Sequence, residues 1–213
     1  MEMFVAAEDV AEDLLGFSGE RKYLILFQNN MELRPGGGFI GSYGVLQIKN
    51  ARVLDFEIHD VYSADGQLKL HVEPPFQIRR YLPSVNWYLR DSNFDIDFPT
   101  NARSAAYLLN LETGEKIDGV IALDVPFIKK VLEAVGPIEV SDYKEVVNSE
   151  NFYVLTQKYV EKDFFPGSTQ KKDFLNSLYN SLKRNLEERK NTNYLGLAQK
   201  VSEAILEKHL MLT

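Results

Sequence analysis

Cysteine is absent from these 213 residues, which excludes disulfides, zinc–thiolate centres and thiol catalysis. The three histidines, His59, His71 and His209, stand at no metal-ligand spacing, so neither a histidine metal site nor a Ser-His-Asp triad has support. No run of about 18 apolar residues occurs, so no segment reads as a membrane span. The opening stretch MEMFVAAEDVAEDLLGF lacks the basic region of a secretory signal. Basic charge is also short. With 24 Lys and Arg against 31 Asp and Glu the formal net charge is -7, the reverse of the balance that phosphate-backbone recognition favours. Nucleic acid is therefore not an expected partner, and any anion site must be local. What the chain does have is 45% hydrophobic residues, enough for a real core in an ordinary globular domain.

Glycine is concentrated rather than scarce. The stretch LRPGGGFIGSYG, residues 33 to 44, carries five glycines and one charge, Arg34. It is not a Walker loop, because no Gly-Lys-Ser/Thr follows, and not a dinucleotide fingerprint, because strand residues rather than a helix come next. Two readings stay open: a bulged or tightly bent strand entry, or a segment to which a ligand or another backbone comes close.

The element pattern mixes both periods. KYLILFQ (22 to 28) reads as a buried strand ending in Asn29 and Asn30. FIGSYGVLQIK (39 to 49) and RVLDFEI (52 to 58) form a hairpin across Asn50 and Ala51, and HDVYSADGQ (59 to 67) reads as a loop. Pro74 and Pro75 open a short helix to Tyr81, and residues 86 to 99 read as an extended loop. Ala102, Ala105, Ala106 and Leu109 recur at helical spacing from Thr100 to a stop at Gly114. A strand (118 to 123), a helix (Val125 to Val135) and a strand IEV then make a βαβ unit, which implies some parallel sheet. Three helices follow. One runs from Asn148 or Ser149 to Val160. The next comes after Pro166 and Gly167, with Phe174, Leu175, Leu178, Leu182 and Leu186 on one stripe, and the last covers Tyr194 to His209. The expected architecture is an α/β/α sandwich on a mixed β-sheet: a helical lead-in over 1–21 and a single domain over 22–213.

Several groups carry candidate chemistry. Lys171 and Lys172 fall in the first turn of the helix near Ser168, where the dipole already supplies positive charge, so either they extend into solvent or an anion resolves the conflict. Arg34, Arg90 and Arg103 are the cations placed near the glycines. Asp65 and Asp91, among the loop acids Asp60, Asp95 and Asp97, are oxygen ligands for a hard cation such as magnesium or, in the plainer reading, turn formers. Trp87, Tyr88 and Phe94 flank Arg90 as a satellite core or as a platform for a sugar or isoprenoid chain.

The strings LFQNNMELRPGGGFIGSYG, DGQLKLHVEPP, NWYLRDSNFDIDFPTNAR, TGEKIDGVIALD and FFPGSTQKKDF together resemble the bacterial family known as domain of unknown function 4012. NARSAAYLLNLETGEKIDGVIALDVPFIKKVLEAVGPIEV is similar, more distantly, to a block of the LytR-CpsA-Psr phosphotransferases, which move glycopolymers from polyprenyl-pyrophosphate carriers to the cell wall. The first resemblance implies an extracytoplasmic domain, anchored through a segment outside this chain. The second implies a LytR-CpsA-Psr-like α/β/α sandwich with a lipid-accommodating pocket and an arginine-lined pyrophosphate site. This chain departs from that pattern. Gly41 or Ser42 stands where those enzymes carry an acid, Asn29 and Asn30 where a second metal-binding acid is expected, and Ser-Thr-Gln-Lys-Lys replaces an Arg-x-x-Arg-Gln fork.

The expectation is a cell-envelope domain that binds a polyprenyl (pyro)phosphate-linked glycan, with transfer to a cell-wall polymer as the further, phosphotransferase-like step that the resemblance implies. Arg34, Arg90, Asp91 and Asp65 would be catalytic, with Asp65 and Asp91 also holding Mg2+. Arg34, Gly37, Gly38, Arg90, Arg103, Lys171, Lys172, Asn29 and Asn30 would hold the phosphates. The alternative is a non-catalytic glycan- or lipid-binding or scaffolding module, which the missing acids favour.

Overall fold

The computed structural model describes residues 12–82, 84–161, 170–188 and 193–213. Its main sheet has five strands in the order β3 (Arg52–Asp60), β2 (Phe39–Lys49), β1 (Arg21–Asn29), β4 (Gly119–Asp124) and β7 (Leu210–Leu212). Strands β1, β2 and β3 form an antiparallel meander, and β4 pairs in parallel with β1. The hairpin turn at Asn50 and Ala51 has both residues at positive φ, 50° and 57°, the twist-matched geometry of a two-residue loop.

The alternating period of β1 feeds two layers. Leu24 and Leu26 face one core, built with α3 (Phe98–Thr113), while Ile25 and Phe27 face the other. Helix α3 buries Ala102, Ala105, Leu108 and Leu109 on the first face, each leucine worth about 2 kcal/mol of transfer free energy. Asp97 caps its start by accepting from the Thr100 N–H at 3.0 Å, and Gly114 ends it at φ 82°. The second face is covered by α4 (Val125–Val135), α5 (Phe152–Glu161), α6 (Gln170–Glu188) and α7 (Tyr194–Leu206). The mixed sheet with helices on both faces is the α/β/α sandwich expected from sequence. Asn176 of α6 ties that layer to edge strand β3, accepting from the Ile58 N–H at 2.9 Å and donating to the Ile58 carbonyl at 2.8 Å.

Some elements differ from expectation. Residues 59 to 67 are not a loop: His59 and Asp60 complete β3, and Asp60 caps a one-turn helix, α1 (Val61–Asp65), by accepting from the Tyr62 N–H. The short helix α2 covers Phe76–Tyr81, and the stretch 86 to 99 contains a 3-10 turn, Leu89–Asp91. The parallel pair is β1 and β4, with α3 in the crossover. The IEV strand, β5 (Ile138–Val140), leaves the sheet after Gly136 (φ 85°) and pairs instead with β6 (Glu145–Val147). The last helix stops at Leu206. Lys208 at φ 61° reverses the chain into β7 (Leu210–Leu212), antiparallel to β4.

Candidate functional site

Three features converge near the carboxyl end of β1. The first is an apolar cavity of about 430 Å3 on the second face, between β1–β3 and helices α4, α6 and α7. Phe27, Phe56, Ile128, Val131, Leu178 and Leu197 are among its walls, and hardly any polar surface lines it. An engineered apolar cavity of about 150 Å3 already stays dry and binds benzene. The second feature is a shallow recess against one end of that cavity, sharing Phe27, Leu123, Ile128, Phe152 and Leu175 with it and adding Gln28, Asn29, Asp124 and Thr156. It sits at the carboxyl ends of the parallel pair β1 and β4, where open α/β sheets usually take ligands.

The third feature is an open, polar recess lined by Glu32, Arg34, Phe39, Tyr62, Tyr88, Arg90 and Asp91. One turn links it to the shallow recess: Asn29, which lines that recess, donates to Glu32 Oε1 at 2.9 Å, and Glu32 lines the polar one. Here the structure brings together Arg34, Arg90, Asp91 and Asp65, the four residues expected to be catalytic. Arg90 Nη1 lies 2.5 Å from Asp65 Oδ2 and its Nε 3.4 Å from Asp91 Oδ2. Arg34 Nε lies 3.9 Å from Asp91 Oδ1. Asp91 thus stands between two guanidinium groups. The Arg90 guanidinium lies over the Tyr88 ring at 4.3 Å, with Tyr62 at 5.4 Å, and Arg34 lies over Phe39 at 5.3 Å. Arg34 Nε is buried and has no hydrogen-bond partner among the described residues, leaving a donor to give.

Burial governs the acids. It pushes the Asp65 carboxyl up to about 6 against the pull of Arg90, and raises Asp91 against Arg90 and Arg34. Behind them Glu112 of α3 is 4% exposed and accepts from the Leu89 N–H at 2.9 Å; burial, with Asp65 alongside, pushes it up to about 8.

The glycines have a structural account. Gly36 donates to the Asn93 carbonyl at 3.0 Å, and a Cβ on it would lie 2.6 Å from that oxygen and collide with Asn101 Nδ2. Gln28 Nε2 donates to the Gly36 carbonyl and Asn93 Nδ2 to that of Gly38, at 3.0 and 2.6 Å. Gly37 and Gly38 adopt φ 115° and 138°, and the Gly37 N–H donates to the Arg34 carbonyl at 3.2 Å. The loop is a packed support that aims Arg34 at the recess.

Other sequence candidates fall elsewhere. Arg103 is exposed on α3 and donates to Thr100 Oγ1. Lys172 pairs with Glu57 of β3 at 3.5 Å, and the side chain of Lys171 lies outside the described residues, as does the helix start near Ser168. Asn30 sits in the turn after β1. Trp87 packs against the α3 core and donates to the Asp91 carbonyl, while Tyr88 belongs to the recess. Ser42 is fully buried on β2. Glu112, Tyr62 and Phe39 were missed. Glu112 had a signal, since it continues the apolar stripe three residues after Leu109.

The donor set does not fit a magnesium ion as arranged. Asp65 Oδ2 is taken by Arg90, Asp91 lies between two guanidiniums, and among the described residues no group of three His, Asp or Glu could hold a metal.

Comparison with known proteins places these features in context. Residues 18–160 match the family model described as Protein of unknown function (DUF4012). No curated protein matches the sequence. Among solved structures, TagV of B. subtilis superposes with a TM-score of 0.56 at 13% identity, over 91% of this chain and 74% of that one. The protein gbs0355 of Streptococcus agalactiae gives a TM-score of 0.61 at 11% identity, over 92% and 69%. At such identities the likeness is one of fold, and it bears out the expected α/β/α sandwich on a mixed sheet.

Proposed function

Since the chain belongs to the DUF4012 family and has the LytR-CpsA-Psr-like fold, we propose that it is a cell-envelope domain that binds a polyprenyl (pyro)phosphate-linked glycan. The isoprenoid chain would enter the apolar cavity, and the phosphate would sit over the turn from Asn29 to Glu32 against Arg34 and Arg90. The observation that carries this reading is the cavity. Its lining is almost wholly apolar, and leaving such surface exposed to water costs free energy, about 25 cal/mol per Å2. A flexible hydrocarbon occupant removes that cost, and only a site with a donor-bearing cation at its rim would select a hydrocarbon with an anionic head. The localisation that goes with this reading is extracytoplasmic, with a membrane anchor outside this chain.

Binding rather than transfer is the main claim, because the acids already face guanidinium groups. Transfer is the second reading, favoured by the position of Asp91 between Arg34 and Arg90. There it would take the acceptor hydroxyl proton while the two arginines hold the departing phosphate. No step is routed through a metal.

The test is calorimetric titration with farnesyl pyrophosphate, run in magnesium and in EDTA. Arg34→Ala should weaken binding about tenfold to a hundredfold, as expected for losing charge-assisted hydrogen bonds. Unchanged affinity would remove Arg34 from the site, and the phosphate assignment with it.

A further inference from the structure

Behind the arginine recess two carboxyl groups meet in the core. Glu112 and Asp65 lie alongside one another, 4% and 6% exposed, and Glu112 Oε2 and Asp65 Oδ1 are buried with no hydrogen-bond partner among the described residues. Two ionised carboxylates cannot satisfy one another, and two buried orphan acceptors would each cost about 1–3 kcal/mol or more. One proton between them satisfies both oxygens. Of the pair's other contacts, Glu112 Oε1 accepts from the Leu89 N–H, Asp65 Oδ2 receives the Arg90 side chain, and the Arg90 backbone N–H also faces the Asp65 carboxyl. The charged and titratable groups facing Glu112 are Asp65 on α1, Arg90 in the 3-10 turn and the buried Tyr43 phenol on β2.

We propose that Glu112 is a positioning residue of the recess: a neutral carboxylic acid that donates its proton to Asp65 Oδ1 while its other oxygen holds the Leu89 N–H. It grips from behind both ends of the assembly that presents Arg90, namely the aspartate paired with that guanidinium and the turn that carries it. A neutral acid here also leaves Asp65 charged to anchor Arg90, and adds no second negative charge beneath an anion site. This inference rests on the reading of the recess as a phosphate site, but the hydrogen bond itself does not.

The sign of the pH effect follows from the proton count. A carboxyl raised to about 8 in the folded chain holds a proton that the unfolded chain, at about 4.5, has released, so stability falls as pH rises between those values and levels above about 8. Glu112→Gln keeps the acceptor for Leu89 and offers Asp65 an N–H donor that does not titrate. Urea unfolding of the ligand-free chain from pH 5 to 9 should show the wild-type folding constant falling about a hundredfold or more relative to Glu112→Gln. Parallel pH profiles would overturn the proposal. In farnesyl pyrophosphate titrations Glu112→Gln should bind within about twofold of wild type at pH 7, whereas Glu112→Leu should lose at least about tenfold through a misplaced Arg90. Equal loss in Gln and Leu would count against the donated proton. A wild-type chain that binds no farnesyl pyrophosphate would sink the phosphate-site reading and leave the pH comparison to decide the Glu112 hydrogen bond. The glutamine variant preserves both bonds, so the result does not depend on whether Glu112→Leu folds.

Discussion

Filling the apolar cavity should stabilise the fold and abolish its ligand at once. Val131 projects from α4 into the cavity and is partly buried against the second core. Replacing it with phenylalanine adds four carbon atoms to a void of about 430 Å3, which can take them without displacing a neighbour. At about 0.8 kcal/mol per buried CH2, reduced for incomplete burial, the gain is about 2 kcal/mol. For a chain of this size that is a rise of roughly 5 °C in Tm. The same ring occupies space that an isoprenoid chain would need, so farnesyl pyrophosphate should bind at least about tenfold more weakly. Calorimetry supplies both numbers, by scanning for Tm and by titration for affinity. If Val131→Phe instead destabilises the chain by the roughly 1–3 kcal/mol typical of overpacking and lowers Tm, the cavity is not open in solution. If it stabilises the chain while binding is unchanged, the cavity is real but is not where the hydrocarbon sits.

Gly36→Ala should destabilise the glycine loop by about 2 kcal/mol, since its Cβ would crowd the Asn93 carbonyl and Asn101, and chemical denaturation measures it directly. Asn176→Ala should cost about 2 kcal/mol in the same assay, because it leaves the Ile58 backbone N–H and carbonyl without their partner on α6; a change within 0.5 kcal/mol would mean that water replaces the asparagine.

Much of this fold was legible in the sequence because one physical signal dominated each element. The run KYLILFQ can only be a strand buried on both faces, and the α3 stripe with Gly114 behind it can only be a capped helix. What escaped was decided by tertiary pairing. The three-residue strands β6 and β7 carry no period long enough to see, the IEV strand β5 is legible but its partner β6 is not, and α1 exists because Asp60 caps a turn whose Val61 and Ala64 fit the core. The site was half legible. Arg34 stands out as the one charge among the glycines, Arg90, Asp65 and Asp91 by their place in polar loop sequence, and the chain brings all four together. Arg103 and Lys172 looked equivalent in sequence, but the helix faces that carry them point elsewhere. Glu112 had its signal in continuing the buried stripe of α3 three residues after Leu109, whereas the cavity was hidden by its composition, since walls of Phe, Ile, Leu and Val read as ordinary core.

The central claim, that this domain holds a hydrocarbon chain by its anionic head, is tested most directly by thermal unfolding with farnesyl pyrophosphate, farnesol and inorganic pyrophosphate, each in magnesium and in EDTA. A ligand at about a hundred times its Kd stabilises the folded chain by about 2.7 kcal/mol, a shift of several degrees for a chain of this size. The account predicts that shift with farnesyl pyrophosphate and a markedly smaller one with either half alone, in both metal conditions. No shift with farnesyl pyrophosphate, or an equal shift with farnesol, would contradict it.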